Sequence, residues 1–282
     1  MLTTNPLLNI FIISLIAGLG TSLGGLIVII RKPGKRTYGF LMGITAGVMI
    51  SLSFLELVNE AWQMAGFETA TIGFAAGAFF MYFLDLFAPH MRFGEKEIRQ
   101  GKDCQDYPIN PNRINRWGEI GRHKWRRRAN ITNQRMLKTG MLLAIGITIH
   151  NIPEGIAVGA GYARSPEFGL FIAIAILLHN IPEGIATALP LCTSGVYKWD
   201  AFRVATLSGL SEPVGALLAG IFLSSFEKFV PGALAFAGGV MVFITLDELV
   251  PAAREFGHHH TTALGIILGS IFVFVLSGLF GV

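Results

Sequence analysis

Charge is what this chain has least of. Only 14% of its 282 residues are Asp, Glu, Lys or Arg, against 52% apolar residues and 34 glycines. A soluble domain carries about a quarter charged residues, so the composition points to a membrane protein. Cysteine is nearly absent: Cys104 and Cys192 lie far apart and supply neither a disulfide framework nor a metal knuckle. No HExxH occurs anywhere, which removes the motif an intramembrane metalloprotease would use. No basic stretch precedes the first apolar run, so that run reads as a retained span and not as a cleaved signal.

What is present is a series of apolar runs of bilayer length. They fall at about 7–30, 38–58, 67–87, 138–162, 168–190, 201–222, 231–250 and 261–282, and predict an all-α integral membrane protein with eight transmembrane helices. Residues 1–88 would hold the first three spans, 138–190 the fourth and fifth, and 191–282 the last three. Between them, residues 89–137 are polar, basic and rich in Asn, and read as a partly disordered cytoplasmic loop, with a short interfacial helix near 117–125 as a weak signal.

The net charge of +4 is not a nucleic-acid footprint, because the basic residues are clustered beside apolar runs. Thirteen of the 22 Lys and Arg residues lie between Arg92 and Lys138, and four more lie between Arg31 and Arg36. With both termini outside the cytoplasm, 20 of the 22 fall on the cytoplasmic side, as the positive-inside rule requires.

The same spans show internal symmetry. Gly47-Val48-Met49 and Glu56-Leu57-Val58 recur as Gly239-Val240-Met241 and Glu248-Leu249-Val250 at an offset of 192. Gly18-Leu19 and Gly24 recur as Gly209-Leu210 and Gly215 at an offset of 191. The matched spans cross in opposite directions, which is the pattern of inverted repeats in secondary transporters.

The chemistry sits in a repeated hexapeptide. His150-Asn151-Ile152-Pro153-Glu154-Gly155 and His179-Asn180-Ile181-Pro182-Glu183-Gly184 both read HNIPEG, 29 residues apart. In each, the histidine and the glutamate are four residues apart and share a helix face. Facing one another, His150, Glu154, His179 and Glu183 would supply two imidazoles and two carboxylates to a divalent transition metal such as zinc, iron, manganese, cobalt or nickel. Glu212 adds a third carboxylate, and with the oxygens of Asn151 and Asn180 could support a second, weaker position bridged by Glu154 and Glu183. Pro153, Pro182 and Pro213 each interrupt a helix hydrogen bond and predict opened turns near midmembrane.

Other acidic residues suggest a path. Glu56 would lie on the outer side of this site and Glu248 on the inner side, with Asp247 and Asp85 assisting release. Interfacial solvation or helix packing is the competing reading for the first two. His258-His259-His260 in the last cytoplasmic connection reads either as a metal-catching cluster or as a solvated turn.

The paired HNIPEG, with Ser211-Glu212-Pro213 and the region of Glu248, resembles the ZIP (Zrt-, Irt-like) metal transporters, in particular the GufA/ZupT-like branch. The resemblance covers the whole transmembrane chain. It implies a three-two-three arrangement of eight spans that moves divalent metal towards the cytoplasm through a binuclear site. It further implies a first ion on His150, Glu154, His179 and Glu183, and a second on Asn151, Glu154, Asn180, Glu183 and Glu212. In place of the histidine-rich loop common in the family, this loop has only His123 well inside it. The overall expectation is a transporter and not an enzyme, with no permanent cofactor, in a bacterial inner membrane, with the bilayer, metal ions and a second copy in a homodimer as partners. A metal sensor without transport is the main alternative, since the metalloprotease lacks its motif.

Overall fold

The computed structural model of the chain describes residues 4–87 and 122–281. All regular structure there is helical. Helix α1 (Pro6–Ile30) starts where Pro6 presets the first turn and the Asn5 side chain accepts from Leu7 N–H at 3.0 Å. Helix α2 (Lys35–Ser51) passes into a π-helical stretch (Leu52–Val58) and then into α3 (Asn59–Phe87). Next come α4 (Arg122–Arg164) and α5 (Pro166–Thr193), the latter capped by the Ser165 hydroxyl at Phe168 N–H, 3.1 Å away. Helices α6 (Lys198–Gly209) and α7 (Ser211–Ser225) follow almost end to end. After a 3-10 turn, α8 (Val230–Ile244), a second π-helical stretch (Thr245–Leu249), α9 (Val250–Phe256) and α10 (His259–Phe280) complete the described chain.

Six helical runs among the described residues are long and apolar enough to cross a bilayer: Pro6–Ile30, Lys35–Leu86, Pro166–Thr193, Lys198–Leu223, Glu227–Glu255 and His259–Phe280. The chain is therefore an integral membrane protein with several spans. Its outer faces agree: Leu279, Ile72 and Leu207 are 78%, 70% and 65% exposed, side chains that lipid accepts and water does not. The 52-residue run Lys35–Leu86 is not one rod. Gly66 leaves the helix at φ 81°, a conformation that glycine adopts without a Cβ penalty. Across it the rings of Phe54 and Phe74 lie 5.6 Å apart, whereas twenty residues of straight helix would separate them by about 30 Å. The chain doubles back at Gly66.

Several boundaries differ from those read in the sequence. The helix that carries the expected fourth span begins at Arg122 and not near Lys138. The rest of the expected loop, with the first part of the weak interfacial helix, lies outside the described residues; the side chain of His123 does too. The sixth span begins at Lys198 and breaks at Leu210, because Pro213 has no N–H for the Gly209 carbonyl. The opened turns expected at Pro153 and Pro182 do not occur: α4 and α5 run on through both prolines. Cys192 is 1% exposed, buried in the last turn of α5.

Candidate metal centre

Helices α4 and α5 pack side by side, with α1 against α5 and α7 against α4. This arrangement buries both hexapeptides. His179, Asn151, Asn180, Glu154 and Glu212 are wholly shielded, and Glu183 and His150 are only 2% and 3% exposed.

Nε2 of His150 lies 3.0 Å from Oε1 of Glu154, its neighbour one turn along α4, and 3.0 Å from Oε1 of Glu183 on α5. Nε2 of His179 lies 3.0 Å from the same Glu154 oxygen. Glu154 thus binds the two hexapeptides together. Ligand atoms of His150, Glu154 and Glu183 all lie within 4.8 Å of one another, close enough to hold a single metal ion.

The two asparagines flank this group and are fixed by backbone carbonyls. Asn151 Nδ2 donates to Ser208 O at 3.0 Å, and Asn180 Nδ2 donates to Ala17 O at 2.9 Å and also to Glu212 Oε1. With each amide nitrogen committed, the amide oxygens point elsewhere. Asn151 Oδ1, Asn180 Oδ1, Glu154 Oε2, Glu183 Oε2 and Glu212 Oε2 are all buried without a hydrogen-bond partner. A buried polar atom left unpaired costs about 1–3 kcal/mol, and more when it is charged. Five oxygens in this condition, three of them on carboxylates, form a donor set suited to divalent cations.

The remaining sequence candidates lie on other helical elements. Glu56 is buried in the first π-helical stretch, and Glu248 and Asp247 lie half-buried in the second. Asp85 lies near the end of α3. His258, His259 and His260 are exposed at the start of α10, where the rings of His258 and His260 stack with centroids 5.6 Å apart, and they are not part of the metal-holding group.

Sequence reasoning did not single out the carbonyls of Ala17 and Ser208 that orient the asparagines. Nor did it find the π-helical stretches, or the ion pair of Arg164 at the end of α4 with Glu60 on α3. Only Pro213 gave a signal, since a proline there forecasts an end to helical hydrogen bonding near Ser208. The carbonyl used by Asn151 is that of Ser208, one residue before the one Pro213 leaves free.

Residues 4–277 match the family described as ZIP Zinc transporter. The chain is 38% identical over 272 residues to the zinc transporter ZupT of Corynebacterium glutamicum, covering 92% of this chain and 94% of the relative. It is 36% identical to the zinc transporter ZTP29 of Arabidopsis thaliana over 260 residues, 91% of this chain and 89% of the other. To ZupT of Akkermansia muciniphila it is 35% identical, with 98% of each chain covered.

Proposed function

Because this chain belongs to the ZIP zinc transporter family, we propose that it carries Zn²⁺ across the bilayer to the cytoplasm through the buried group of His150, Glu154, His179 and Glu183. One observation carries this reading: His150, Glu154 and Glu183 converge on helices buried in the interior of a membrane protein, where an uncompensated carboxylate is costly. A divalent cation offsets that charge.

Asn151, Asn180 and Glu212 complete a second position that shares Glu154 and Glu183 with the first. The unpaired oxygens of all five residues support it. The donors are nitrogen and oxygen with no thiolate, which also suits iron, manganese, cobalt and cadmium. Glu56 on the outer side, and Glu248, Asp247 and Asp85 on the inner side, are proposed to relay the ion.

The proposed frame has eight crossings, with α4 and α5 between two groups of three. The reversal at Gly66 supports counting Lys35–Leu86 twice, and the packing of α4 against α5 and α7 supports counting α4. Glycine contacts support the inverted repeat. A Cβ on Gly24 would strike the carbonyl oxygen of Ile181, and one on Gly215 would strike that of Ile152. Gly184 abuts Thr21 O, and Gly155 abuts Glu212 O. The α1 and α7 members of these contacts differ by 191 and the hexapeptide members by 29. On the flanks, Gly47 abuts Ile266 O and Gly239 abuts Phe74 O, while Gly269 abuts Ile44 O and Gly77 abuts Phe236 O, all related by 192. The two π-helical stretches fall at matched places as well.

External termini follow from the basic residues, and a bacterial inner membrane is supported by bacterial relatives. A homodimer remains the proposed assembly from the sequence reading alone, since lipid accounts for the exposed apolar faces.

Uptake of Zn²⁺, Fe²⁺, Mn²⁺, Co²⁺ and Cd²⁺ by purified protein in sealed liposomes tests the proposal against a Glu154→Ala control. Saturable uptake lost in the variant supports it. Metal binding without flux in intact vesicles would point to a sensor instead.

A further inference from the structure

The inference rests on the inverted-repeat reading and asks where that symmetry fails. A Cβ on Gly18 would strike Gly209 O, and one on Gly209 would strike Gly18 O. Each glycine is the other's counterpart in the repeat, so their contact marks the pseudo-two-fold axis. Around it the asparagine anchors repeat. Asn180 is anchored on Ala17 O and Asn151 on Ser208 O, and Ala17 and Ser208 are counterparts at the offset of 191. The histidines, asparagines and glutamates of the hexapeptides are chemically identical. The counterpart of Glu212 is Thr21. There a hydroxyl stands where the other half has a carboxylate.

The axis of an inverted repeat lies in the membrane plane, so counterparts lie on opposite sides of it. Glu212 follows Gly209 by three residues on a helix running outward, and Thr21 follows Gly18 by three on a helix running inward. Each step is about 4.5 Å of helix rise. Glu212 therefore belongs to the outer half and Thr21 to the cytoplasmic half.

We propose that Thr21 and Asn151 form the cytoplasm-facing mirror image of the Asn180–Glu212 corner, a neutral oxygen pair through which the ion leaves the central His–Glu group. Thr21 is wholly buried, and its hydroxyl donates to Gly18 O at 2.7 Å, which leaves the lone pairs of the oxygen for a cation. Asn151 Oδ1 is buried and unpartnered. Flux requires binding strong enough to admit an ion and weak enough to release it. Carboxylate on the outer side and neutral oxygens on the inner side grade the site in that sense. A carboxylate at position 21 would remove the grade by holding the ion on its way out. Space for it is available by symmetry, since Glu212 packs against Gly18 and the Thr21 side chain packs against the counterpart Gly209.

The test uses full-length protein, with Zn²⁺ binding by calorimetry in nanodiscs and Zn²⁺ uptake in liposomes. Thr21→Glu should bind Zn²⁺ roughly tenfold more tightly, as added ligand charge does, with turnover reduced by a similar factor. The exchange Thr21→Glu with Glu212→Thr should regain the binding that Glu212→Thr alone loses. Folded variants with unchanged binding and turnover, or a folded exchange protein that stays as weak as Glu212→Thr, would overturn the proposal. If Thr21→Glu does not fold, Thr21→Val keeps the shape and removes the hydroxyl. Its turnover should fall several-fold with equilibrium affinity retained, and unchanged turnover overturns the proposal. Failure of the transporter reading looks different, because wild-type protein would then show no saturable uptake.

Discussion

Nε2 of His179 on α5 stands 3.0 Å from Oε1 of Glu154 on α4, the same oxygen that faces Nε2 of His150. One carboxylate oxygen is thus shared by the imidazoles of both hexapeptides. Glu154 is the hinge of the chemistry.

Replacing Glu154 with alanine removes this shared oxygen and the charge. Loss of an outer partner from a metal site costs 10–100-fold in affinity, so loss of Glu154 should cost about 100-fold or more. Liposome uptake of Zn²⁺ should fall to background. Flux near the wild-type level would remove Glu154 from the site.

Glu212 and Asn180 are joined by a hydrogen bond. Glu212→Ala should leave one high-affinity Zn²⁺ equivalent and remove the second, weaker one. Counting bound zinc per protein by calorimetry and metal analysis checks this. Two equivalents retained at full strength would place the second ion elsewhere.

Gly184 and Gly155 allow α5 and α4 to touch the backbones of α1 and α7. Adding bulk to a packed contact costs about 1–3 kcal/mol. Gly184→Val and Gly155→Val should each lower the melting temperature in detergent, and by comparable amounts if the two contacts are true counterparts. A melting temperature unchanged in either would show that the helices can separate there without loss.

Protons and divalent ions compete for the same carboxylates and imidazoles. Apparent Zn²⁺ affinity should therefore fall as pH is lowered from about 8 to about 5, the interval in which histidine ordinarily changes charge. Calorimetry in buffers of different ionisation enthalpy should register proton release on binding. Affinity independent of pH would mean that the imidazoles are not ligands.

The convergence of His150, Glu154 and Glu183 was legible because its logic is local. Histidine and glutamate at a four-residue spacing, repeated in two adjacent apolar runs, fix both the helix face and the donor type. Glu212 stood out as a charge in an otherwise apolar run. What could not be read was anything that depends on one helix meeting another. Ala17 contributes only a carbonyl, and every residue has one, so nothing in its side chain marks it. The pair of Arg164 and Glu60 joins residues 104 apart along the chain. The π-helical stretches escaped because hydropathy reports a face but not an inserted residue, and the helix begun at Arg122 escaped because polar sequence in a helix resembles polar sequence in a loop.

A π-helical turn changes the phase of the helix that contains it. The extra residue rotates everything beyond it by about 100° relative to an uninterrupted α-helix. Before its π turn, α2 presents Gly47 to Ile266 of α10; within the turn, Ser53, Leu57 and Val58 lie against Gly238 of α8. One crossing therefore faces two different neighbours, and the change of partner occurs at the turn that carries Glu56. The second π turn brings about the same handover, with α8 on α3 before it and α9 on α2 after it. Deleting a single residue from either turn would put the two halves of that crossing into register, swinging the carboxylate at its centre out towards lipid.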